Sequence, residues 1–415
     1  MRPTIEYRRK KNLFELVEER RRLRSGLELI IGGRPGRQHE LANSFRRLGR
    51  IGRVFETVPY FSASVGADEA QQLMLYIYRD SSMRSCSKTF ESSYNSLLKS
   101  ISSLDAASTF RSVPSPKQRG RNVIYNLDFD GMWNLQNIGA YEAQKICRGE
   151  DAEIAIIDTG IDYTHPDLAP NFGDDKGYDF VRDSRDPRDR DGHGTHVAGT
   201  ACSPNCGVSL DSRLYGIRVL DENGSGSEAD IIAGIEYCIR KGYDVANMSL
   251  GSSNASRAFE AVCDKAYENG LVLVAAAGNE EYGPEYPAAF GESVIAVAAV
   301  DSDNEHADFS NVWETNDISA PGVNIISCLM GGGYTAMDGT SMATPHITGS
   351  VALALSLFKR EPSALMDCMD ETAQQLEGGE GYDNGWVFGK GLVRADRLLA
   401  RIANSYSLMR KRRER

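Results

Sequence analysis

Hydrophobic residues beyond about Ala152 fall into short β-branched runs that alternate with segments whose apolar residues recur at helical spacing. This alternation is typical of an α/β fold in which a doubly wound, mostly parallel sheet carries helices on both faces. Unbroken apolar runs such as LVLVAAA (271–277) indicate strands buried on both faces. The predicted strands are Glu153–Ile157, Arg213–Leu220, Asp244–Met248, Leu271–Ala276 and Ser293–Val300, and the predicted helices are Glu228–Lys241, Ser256–Asn269 and Ser341–Leu357.

The region before residue 130 has a different pattern and predicts a small α+β domain. We expect strands at Leu27–Ile31, Arg53–Val65 and Asn122–Leu127, and helices at His39–Leu48 and Ala67–Tyr78. Residues 80–121 are rich in Ser and lack periodicity, which predicts a long mobile loop. The chain is therefore divided into a basic arm (1–24), the α+β domain with its Ser-rich insertion 80–121 (25–130), the α/β domain (131–405) and a basic tail (406–415).

Composition is that of a globular protein, with 41% hydrophobic and 25% charged residues and a net charge of -11. Residues 1–50 and the run Arg410–Arg413 carry an excess of basic charge, and we interpret the arm 1–24 and the C-terminal run as solvated and without nucleic-acid contacts, because no aromatic platforms are interleaved with the basic residues. No apolar run approaches the ~20 residues of a membrane span, and we expect a monomer. Residues 1–30 lack the apolar core of a secretory signal, which favours the cytoplasm.

The eight cysteines are scattered and form no CxxC pair, so the sequence indicates neither a zinc site nor a disulfide framework. Cys202 and Cys206 could pair with each other, and we expect most of the eight to be buried free thiols. The cysteines are Cys86, Cys147, Cys202, Cys206, Cys238, Cys263, Cys328 and Cys368.

Three segments place a reactive side chain among small residues: IAIIDTGIDYTHPDL (154–168), DGHGTHVAGT (191–200) and DGTSMATPH (338–346). Covalent hydrolysis of a peptide bond needs a nucleophile, a base that takes its proton, and a carboxylate that orients the base. Ser341, His193 and Asp158 can supply these roles in turn. Asp158 follows a predicted strand, where active residues of parallel sheets lie.

The surroundings of these side chains favour the same chemistry. Ser341 begins a predicted helix, whose first N–H groups stabilise developing negative charge. A fourth segment, VAAAGNE (274–280), offers Asn279 as a side-chain donor to an oxyanion, and losing such a donor costs about 10²–10³ in turnover. Glycines flank these sites and let the substrate approach where a Cβ would intrude. They are Gly160, Gly192, Gly194 and Gly339.

Other classes of protein explain the same residues less well. Asp158-Thr159-Gly160 matches the Asp-Thr-Gly of aspartic proteases, but that chemistry needs two such carboxylates and the sequence has no second one. His193 and His196 could share a metal, although no third ligand is placed near them, so we interpret His196 as a packing residue. A further alternative is a catalytically dead protein that acts as a binding module. Such proteins usually lose one of the reactive polar residues, whereas Asp158, His193, Ser341 and Asn279 are all present here.

The four segments resemble the motifs of the subtilisin-like peptidases, in the family's order of Asp, His and Ser. The resemblance runs from about Leu135 to Ile402 and implies a serine endopeptidase that cuts polypeptides through an acyl-enzyme on Ser341. It implies that Asp158, His193 and Ser341 are the triad and that Asn279 is the oxyanion donor. The resemblance also implies two pocket walls, Ser249, Leu250, Gly251 and Ala276, Ala277, Gly278, and a substrate-pairing edge, Gly224, Ser225, Gly226.

The N-terminal region resembles the family's inhibitory propeptide, chiefly through FETVPYFSASVGADEAQQLM (55–74). The resemblance implies a self-processing precursor whose N-terminal domain assists folding, blocks the active site as an intramolecular inhibitor and is then cut off. Family spacing from Asp158 places that cut near Leu127–Met132. Family habit also suggests export, so the resemblance and the missing signal leave the compartment open.

Acidic residues suggest two further features. The segment between Thr200 and Leu214 is shorter than the calcium-wrapping loop of familiar secreted members, so that site is not expected. A structural Ca²⁺ could instead bind an acidic run that resembles a calcium loop of some relatives. The alternative is a solvated charge run, because arginines lie between the acidic residues and offset their charge. The chemistry itself needs no cofactor. Glu280 and Glu281, at the pocket rim by resemblance, favour Lys or Arg before the cut bond. The proposed calcium ligands are Asp183, Asp186, Asp189 and Asp191.

Overall fold

The structure is a computed structural model that describes residues 27–32, 36, 38–46, 50–65, 103–106, 108–112, 132–358, 361–378 and 381–413. The chain divides into two compact units, one of residues 1–108 with 254–265 and one of residues 109–253 with 266–415. The predicted arm 1–24, helix 67–78 and strand 122–127 lie outside the described residues, as does most of the Ser-rich insertion.

The first unit contains a four-stranded antiparallel sheet in the order β2-β3-β1-β4, one complete described helix and most of a second, Arg257–Glu268. Leu29 and Ile31 have no exposed surface, and the rings of Phe45 and Phe61 pack edge to face at 5.5 Å. The strand predicted at 53–65 is two strands, because the backbone turns back between them with Phe55 N–H donating to Tyr60 O. The elements are β1 (Leu27–Gly32), α1 (Gln38–Phe45), β2 (Arg50–Val54), β3 (Tyr60–Val65) and β4 (Ser103–Ala106).

The second unit is built on a seven-stranded parallel sheet in the order β14-β13-β12-β10-β6-β8-β7. All five predicted strands are found in it within one to two residues, which confirms the doubly wound fold. The described strands of the second unit, in this sheet and in two smaller ones, are β5 (Thr109–Ser112), β6 (Glu153–Asp158), β7 (Gly177–Asp179), β8 (Arg213–Arg218), β9 (Ser225–Ser227), β10 (Val245–Met248), β11 (Leu250–Gly251), β12 (Val272–Ala276), β13 (Ile295–Val300), β14 (Ile318–Pro321), β15 (Ile325–Cys328) and β16 (Tyr334–Met337).

Helices cover the sheet of the second unit and carry the predicted reactive residues at their ends. The long helix α7 packs against α4 and against the strands β10, β12 and β13, and almost all of its residues are buried. This explains its apolar, small-residue sequence. The helices that follow α1 are α2 (Trp133–Asn137), α3 (Ala140–Ala143), α4 (His193–Cys202), α5 (Glu228–Lys241), α6 (Arg257–Glu268), α7 (Thr340–Leu357), α8 (Pro362–Thr372), α9 (Asn384–Phe388) and α10 (Ala395–Arg413).

The Ser-rich segment 80–121, predicted as an irregular loop, contains the strands β4 and β5. β5 is the central strand of a small antiparallel sheet, in the order β11-β5-β9. Its four residues form a strand because both neighbours offer backbone hydrogen-bond partners, and no periodicity of its own predicts it. Phe110 is fully buried, whereas Thr109 and Arg111 on either side are exposed.

Two further expectations can be compared with the described residues. No helix among them is both long and apolar enough to cross a membrane. Cys202 and Cys206 are both buried and do not form a disulfide with each other, and the Cys202 thiol donates a hydrogen bond to Ser209 O at 3.0 Å. The other described cysteines are also buried free thiols.

Candidate active site

Asp158 and His193 are brought together where β6 ends and α4 begins. His193 Nδ1 lies 2.8 Å from Asp158 Oδ1 and 3.0 Å from Oδ2, and the carboxylate has no exposed surface. Burial disfavours the charged imidazole, but the adjacent Asp158 carboxylate outweighs it and raises the pKa of His193 above its ordinary value. A Cβ on Gly194 would lie 3.1 Å from Asp158 Oδ1, so glycine at this position allows the close approach of α4 to β6.

The start of α4 is fixed by the buried carboxylate of Asp189, four residues before His193. Asp189 Oδ1 accepts hydrogen bonds from Thr159 Oγ1 and from the backbone N–H of Asp191 and Gly192, at 2.9–3.0 Å. Its Oδ2 accepts from the N–H and Oγ1 of Thr195. Since first-turn N–H groups have no partner within a helix, Asp189 satisfies donors that would otherwise be buried unpaired.

Ser341 lies in the first turn of α7, beside Ser249, which links β10 and β11. Ser341 Oγ donates to Ser249 O at 3.1 Å, and Ser249 Oγ donates to Ser341 O at 2.9 Å. His193 Nε2 is buried and has no hydrogen-bond partner among the described residues. Ser341 itself has no exposed surface.

Asn279, three residues after the end of β12, is oriented by Thr340, the residue that precedes Ser341. Its Oδ1 accepts from the backbone N–H of Thr340 at 3.0 Å and from Thr340 Oγ1 at 2.9 Å. Because the oxygen is held in this way, the donor Nδ2 faces Gly339, where a Cβ would lie 3.2 Å from it. Gly339 has φ +149°, which an L side chain rarely adopts.

Two of the three predicted substrate-binding segments lie on either side of β5. On one side Phe110 pairs with Gly226 and Arg111 with Ser225, and Ser112 N–H donates to Gly224 O at 2.7 Å. On the other side β5 pairs in antiparallel register with Leu250 and Gly251. The groove between β9 and β11 therefore holds an extended strand of the same chain.

The four aspartates predicted to bind calcium do not converge. Asp183 accepts from Tyr178 Oη at 2.8 Å and Asp186 from Tyr163 Oη at 2.5 Å, on different tyrosines. Asp189 is saturated by the hydrogen bonds described above, and Asp191 Oδ1 accepts from His193 N–H at 3.0 Å. No group of three or more His, Cys, Asp or Glu among the described residues is arranged to hold a metal, so these side chains do not fit a Ca²⁺ site as they stand.

Two other histidines have structural partners. His196 Nε2 lies 3.0 Å from Ile325 O and 3.1 Å from Thr335 O, and burial lowers the pKa of His196 to about 3. His346 Nε2 lies 2.8 Å from Asn134 Nδ2, and burial lowers the pKa of His346 to about 4. His196 therefore contacts the hairpin β15–β16, as expected of a packing residue.

Two charged residues near the site were missed by sequence reasoning. Arg218 has no exposed surface, and its Nε donates to Thr159 O at 3.2 Å, next to Asp158. Its Nη1 lies 2.8 Å from Asp179 Oδ2. Glu285 lies against Gly251 of one pocket wall. Neither residue belongs to one of the four sequence motifs. Their contacts with the site are made to residues that are distant in the sequence, so the sequence pattern does not reveal them.

Fold and site together define an α/β protein with Asp158, His193 and Ser341 at the carboxyl edge of a parallel sheet, in that chain order. A model of the subtilase family matches residues 149–389. Because this match covers more than half of the chain, the chain belongs to the subtilase family. Members of the family need no cofactor for catalysis.

Curated relatives give the same result. Subtilisin amylosacchariticus of Bacillus subtilis subsp. amylosacchariticus is 44% identical over 257 residues, which cover 59% of this chain and 65% of that relative. The subtilisin of Bacillus pumilus is 43% identical over 257 residues, covering 59% of this chain and 90% of the relative. The thermostable alkaline protease of Halalkalibacterium halodurans is 38% identical over 282 residues, covering 66% and 76%.

Proposed function

We propose that this chain is a serine endopeptidase in which Asp158, His193 and Ser341 act as the catalytic triad. The buried hydrogen bond between Asp158 and His193, next to the helix that begins with Ser341, carries the proposal. The relatives named above are subtilisins and a protease, which supports the same activity.

The geometry supports a double-displacement mechanism. Ser341 Oγ attacks the substrate carbonyl carbon while His193 Nε2 takes its proton, and Asp158 stabilises the imidazolium that forms. The raised pKa of His193 has the same origin, since the Asp158 carboxylate favours the protonated ring. His193 then gives the proton to the leaving amine, and water releases the acyl group from Ser341 by the reverse sequence.

Negative charge on the carbonyl oxygen needs donors that are already in place. Asn279 Nδ2 and the backbone N–H groups at the start of α7 supply them, and Thr340 prevents Asn279 from turning its oxygen toward the substrate. The hydrogen bond from Ser341 Oγ to Ser249 O must be exchanged for one to His193 Nε2 before attack.

Polypeptide substrates should bind as an added strand between β9 and β11. β5 occupies this groove with antiparallel pairing on both sides, which is how an extended peptide joins exposed strand edges. Main-chain pairing of this kind gives affinity without strict sequence preference, and pockets for alternate side chains give specificity. The buried Phe110 marks one such pocket.

We infer that β5 is the inhibitory segment of a self-processing precursor. Ser341 is fully buried, and β5 lies in the groove that a substrate would occupy. A segment of the same chain competes at high effective concentration, so peptide substrates cannot easily displace it. The N-terminal domain would then act as an intramolecular inhibitor until it is cut off.

A structural Ca²⁺ on the run Asp183–Asp191 remains a separate proposal. Binding there would require Asp183 and Asp186 to exchange their tyrosine hydroxyls for the ion. An ion that binds only the folded chain raises the melting temperature by mass action. A lower Tm in chelator that Asp186→Asn abolishes would support the site, and an unchanged Tm would favour the hydrogen-bonded loop.

A fluorophosphonate probe tests the proposed function directly. We expect the activated chain to become labelled on Ser341 and to lose peptidase activity in proportion, while Ser341→Ala takes up no label. A chain that binds peptides but is not labelled would instead be a catalytically dead binding module. Intact mass and circular dichroism of both chains control for misfolding.

A further inference from the structure

Glu285 lies where the two predicted walls of the specificity pocket approach each other. A Cβ built on Gly251 would lie 2.5 Å from Glu285 Oε1 and 2.9 Å from its Cδ, and a Cβ on Gly278 would lie 3.0 Å from Glu285 Cβ. Real Cβ atoms essentially never approach within 3.0 Å, so the Glu285 side chain fills the space beside Gly251. Beside Gly278 the nearest side chain is that of Asn311, whose Nδ2 would lie 2.3 Å from a Cβ, and Glu285 Cβ borders the same space. The two glycines belong to different walls, so the Glu285 side chain borders both walls, with its carboxylate against Gly251.

The backbone holds Glu285 in this place. The next residue, Tyr286, exchanges two hydrogen bonds with Ser252, at 2.9 and 3.1 Å, and Ser252 directly follows Gly251 of the wall. The carbonyl of Glu285 accepts from Ala289 N–H at 2.8 Å. Glu285 thus starts from a fixed backbone position and is only partly exposed.

We propose that Glu285 makes this pocket selective for a Lys or Arg side chain immediately before the cut bond. The inference rests on the proposed peptidase function. A long basic side chain can lay its apolar stem between the walls, whose Leu250, Ala276 and Ala277 are buried, and bring its charged group to the carboxylate. Arg can bind it in a bidentate manner and Lys as a point charge.

Glu280 and Glu281, predicted at the rim of the same pocket, are a weaker source of selectivity. Both are exposed, and their charges are screened by water and salt. The backbone N–H of Glu280 donates to Asn311 Oδ1 at 2.6 Å, which fixes the main chain and leaves the carboxylate at the surface. Glu280→Gln is therefore a matched control, because it removes one nearby charge and keeps the backbone contact.

The experiment compares kcat/KM for peptides that differ only in the residue before the cut bond: Lys, Arg, Leu, Phe and Glu. Rates are expressed per serine titrated with fluorophosphonate, using self-activated wild type, Glu285→Gln, Glu285→Asp and Glu280→Gln. We expect wild type to prefer Lys or Arg. Glu285→Gln should lose about 30-fold or more on those two substrates and less than about threefold on Leu, Glu285→Asp should retain part of the preference, and Glu280→Gln should change little.

Three outcomes are distinguishable. A wild-type preference for Leu and Phe over Lys and Arg overturns the role of Glu285 even if no variant folds. An unchanged Lys preference in Glu285→Gln also overturns it, since another group must then supply the charge. Absence of both labelling and cleavage in wild type contradicts the proposed function itself, which is a different result from labelled enzyme with apolar preference.

Discussion

Asp189 and Thr195 are joined by two hydrogen bonds to one carboxylate oxygen, since Asp189 Oδ2 accepts from Thr195 N–H at 2.9 Å and from Thr195 Oγ1 at 2.5 Å. The sequence suggested Asp189 as a calcium ligand, and the structure gives it a hydrogen-bonding role at the start of α4. This carboxylate fixes the helix turn that carries His193. Replacing Asp189 should therefore lower the stability of the chain even when no metal is added.

Asp189→Asn should destabilise the chain, because one oxygen becomes an NH₂ group that faces donors. Leaving such buried donors unpaired costs about 1–3 kcal/mol of the free energy of unfolding. Urea denaturation in the Ser341→Ala background measures this without self-cleavage. Asp186→Asn, at an exposed residue, should cost less than about 0.5 kcal/mol. Equal losses in the two variants would contradict the role of Asp189.

Loss of the triad should remove activity in a definite order. Ser341→Ala should abolish nearly all peptidase activity, because positioning and oxyanion binding alone leave a small residual rate. His193→Ala should be about as severe, and Asp158→Ala somewhat less, since nucleophile and base remain. The measurement is kcat/KM on a peptide substrate with matched circular dichroism. Substantial activity in Ser341→Ala would show that the triad is wrongly assigned.

The pH dependence of catalysis follows from the raised pKa of His193. The ring must be neutral to accept the proton of Ser341, so kcat/KM should fall as pH drops through that pKa, with a midpoint above the ordinary ~6.5. Asp158→Asn removes the main charge that favours the imidazolium and leaves burial opposed only by the weaker effects of Asp191 and Asp189. The midpoint of the residual activity should then move to lower pH, and a shift to higher pH would contradict the assignment.

Most of the peptidase fold could be predicted because its strands are continuous apolar runs buried on both faces. Helix Glu228–Lys241 was predicted with correct ends, since Ser227 caps its start and Gly242 ends it in a left-handed conformation. Asp158 ends β6, His193 begins α4 and Asn279 follows β12 by three residues, so each lies at or near the end of a regular element. Local sequence patterns are sufficient to predict an element when its apolar residues and its capping residues are neighbours in the sequence.

Features that depend on distant partners could not be predicted. β5 has only four residues, and its strand conformation depends on Ser225 and Leu250, which lie far along the chain. Glu285 gains its place through the pairing of Tyr286 with Ser252. The acidic run suggested calcium because spacing alone does not reveal that tyrosine hydroxyls and backbone N–H groups already occupy the carboxylates.

Acid should destabilise the fold through His196. Burial lowers the pKa of His196 to about 3, so the folded state favours the neutral ring. Stability is therefore complete above the unfolded pKa of ~6.5 and is lost as pH falls below it, by up to about 1.4 kcal/mol per pH unit from this group. His196→Gln in the Ser341→Ala background should reduce the dependence of Tm on pH between 6.5 and 4.5. An unchanged slope would contradict this assignment.

The precursor should cut itself on the C-terminal side of β5. Ser112, the last residue of β5, pairs with Leu250, and Ser249 next to Leu250 accepts the hydrogen bond of Ser341, so β5 ends in the groove beside the nucleophile. A tethered bond reaches Ser341 at high effective concentration, and the first cut should therefore be independent of protein concentration. Ser341→Ala should remain at 45.6 kDa under conditions where wild type shortens.

N-terminal sequencing of the shortened chain locates the bond. Family spacing from Asp158 predicts a cut within 127–132, in the polar link Asp128-Phe129-Asp130-Gly131. The Glu285 pocket instead favours Lys117, Arg119 or Arg121 before the cut bond. A new N-terminus directly after one of these three residues would support basic selectivity, and one within 127–132 would mean that tethering overrides it. An active chain that stays intact would contradict self-processing and leave the N-terminal region as a permanent accessory domain.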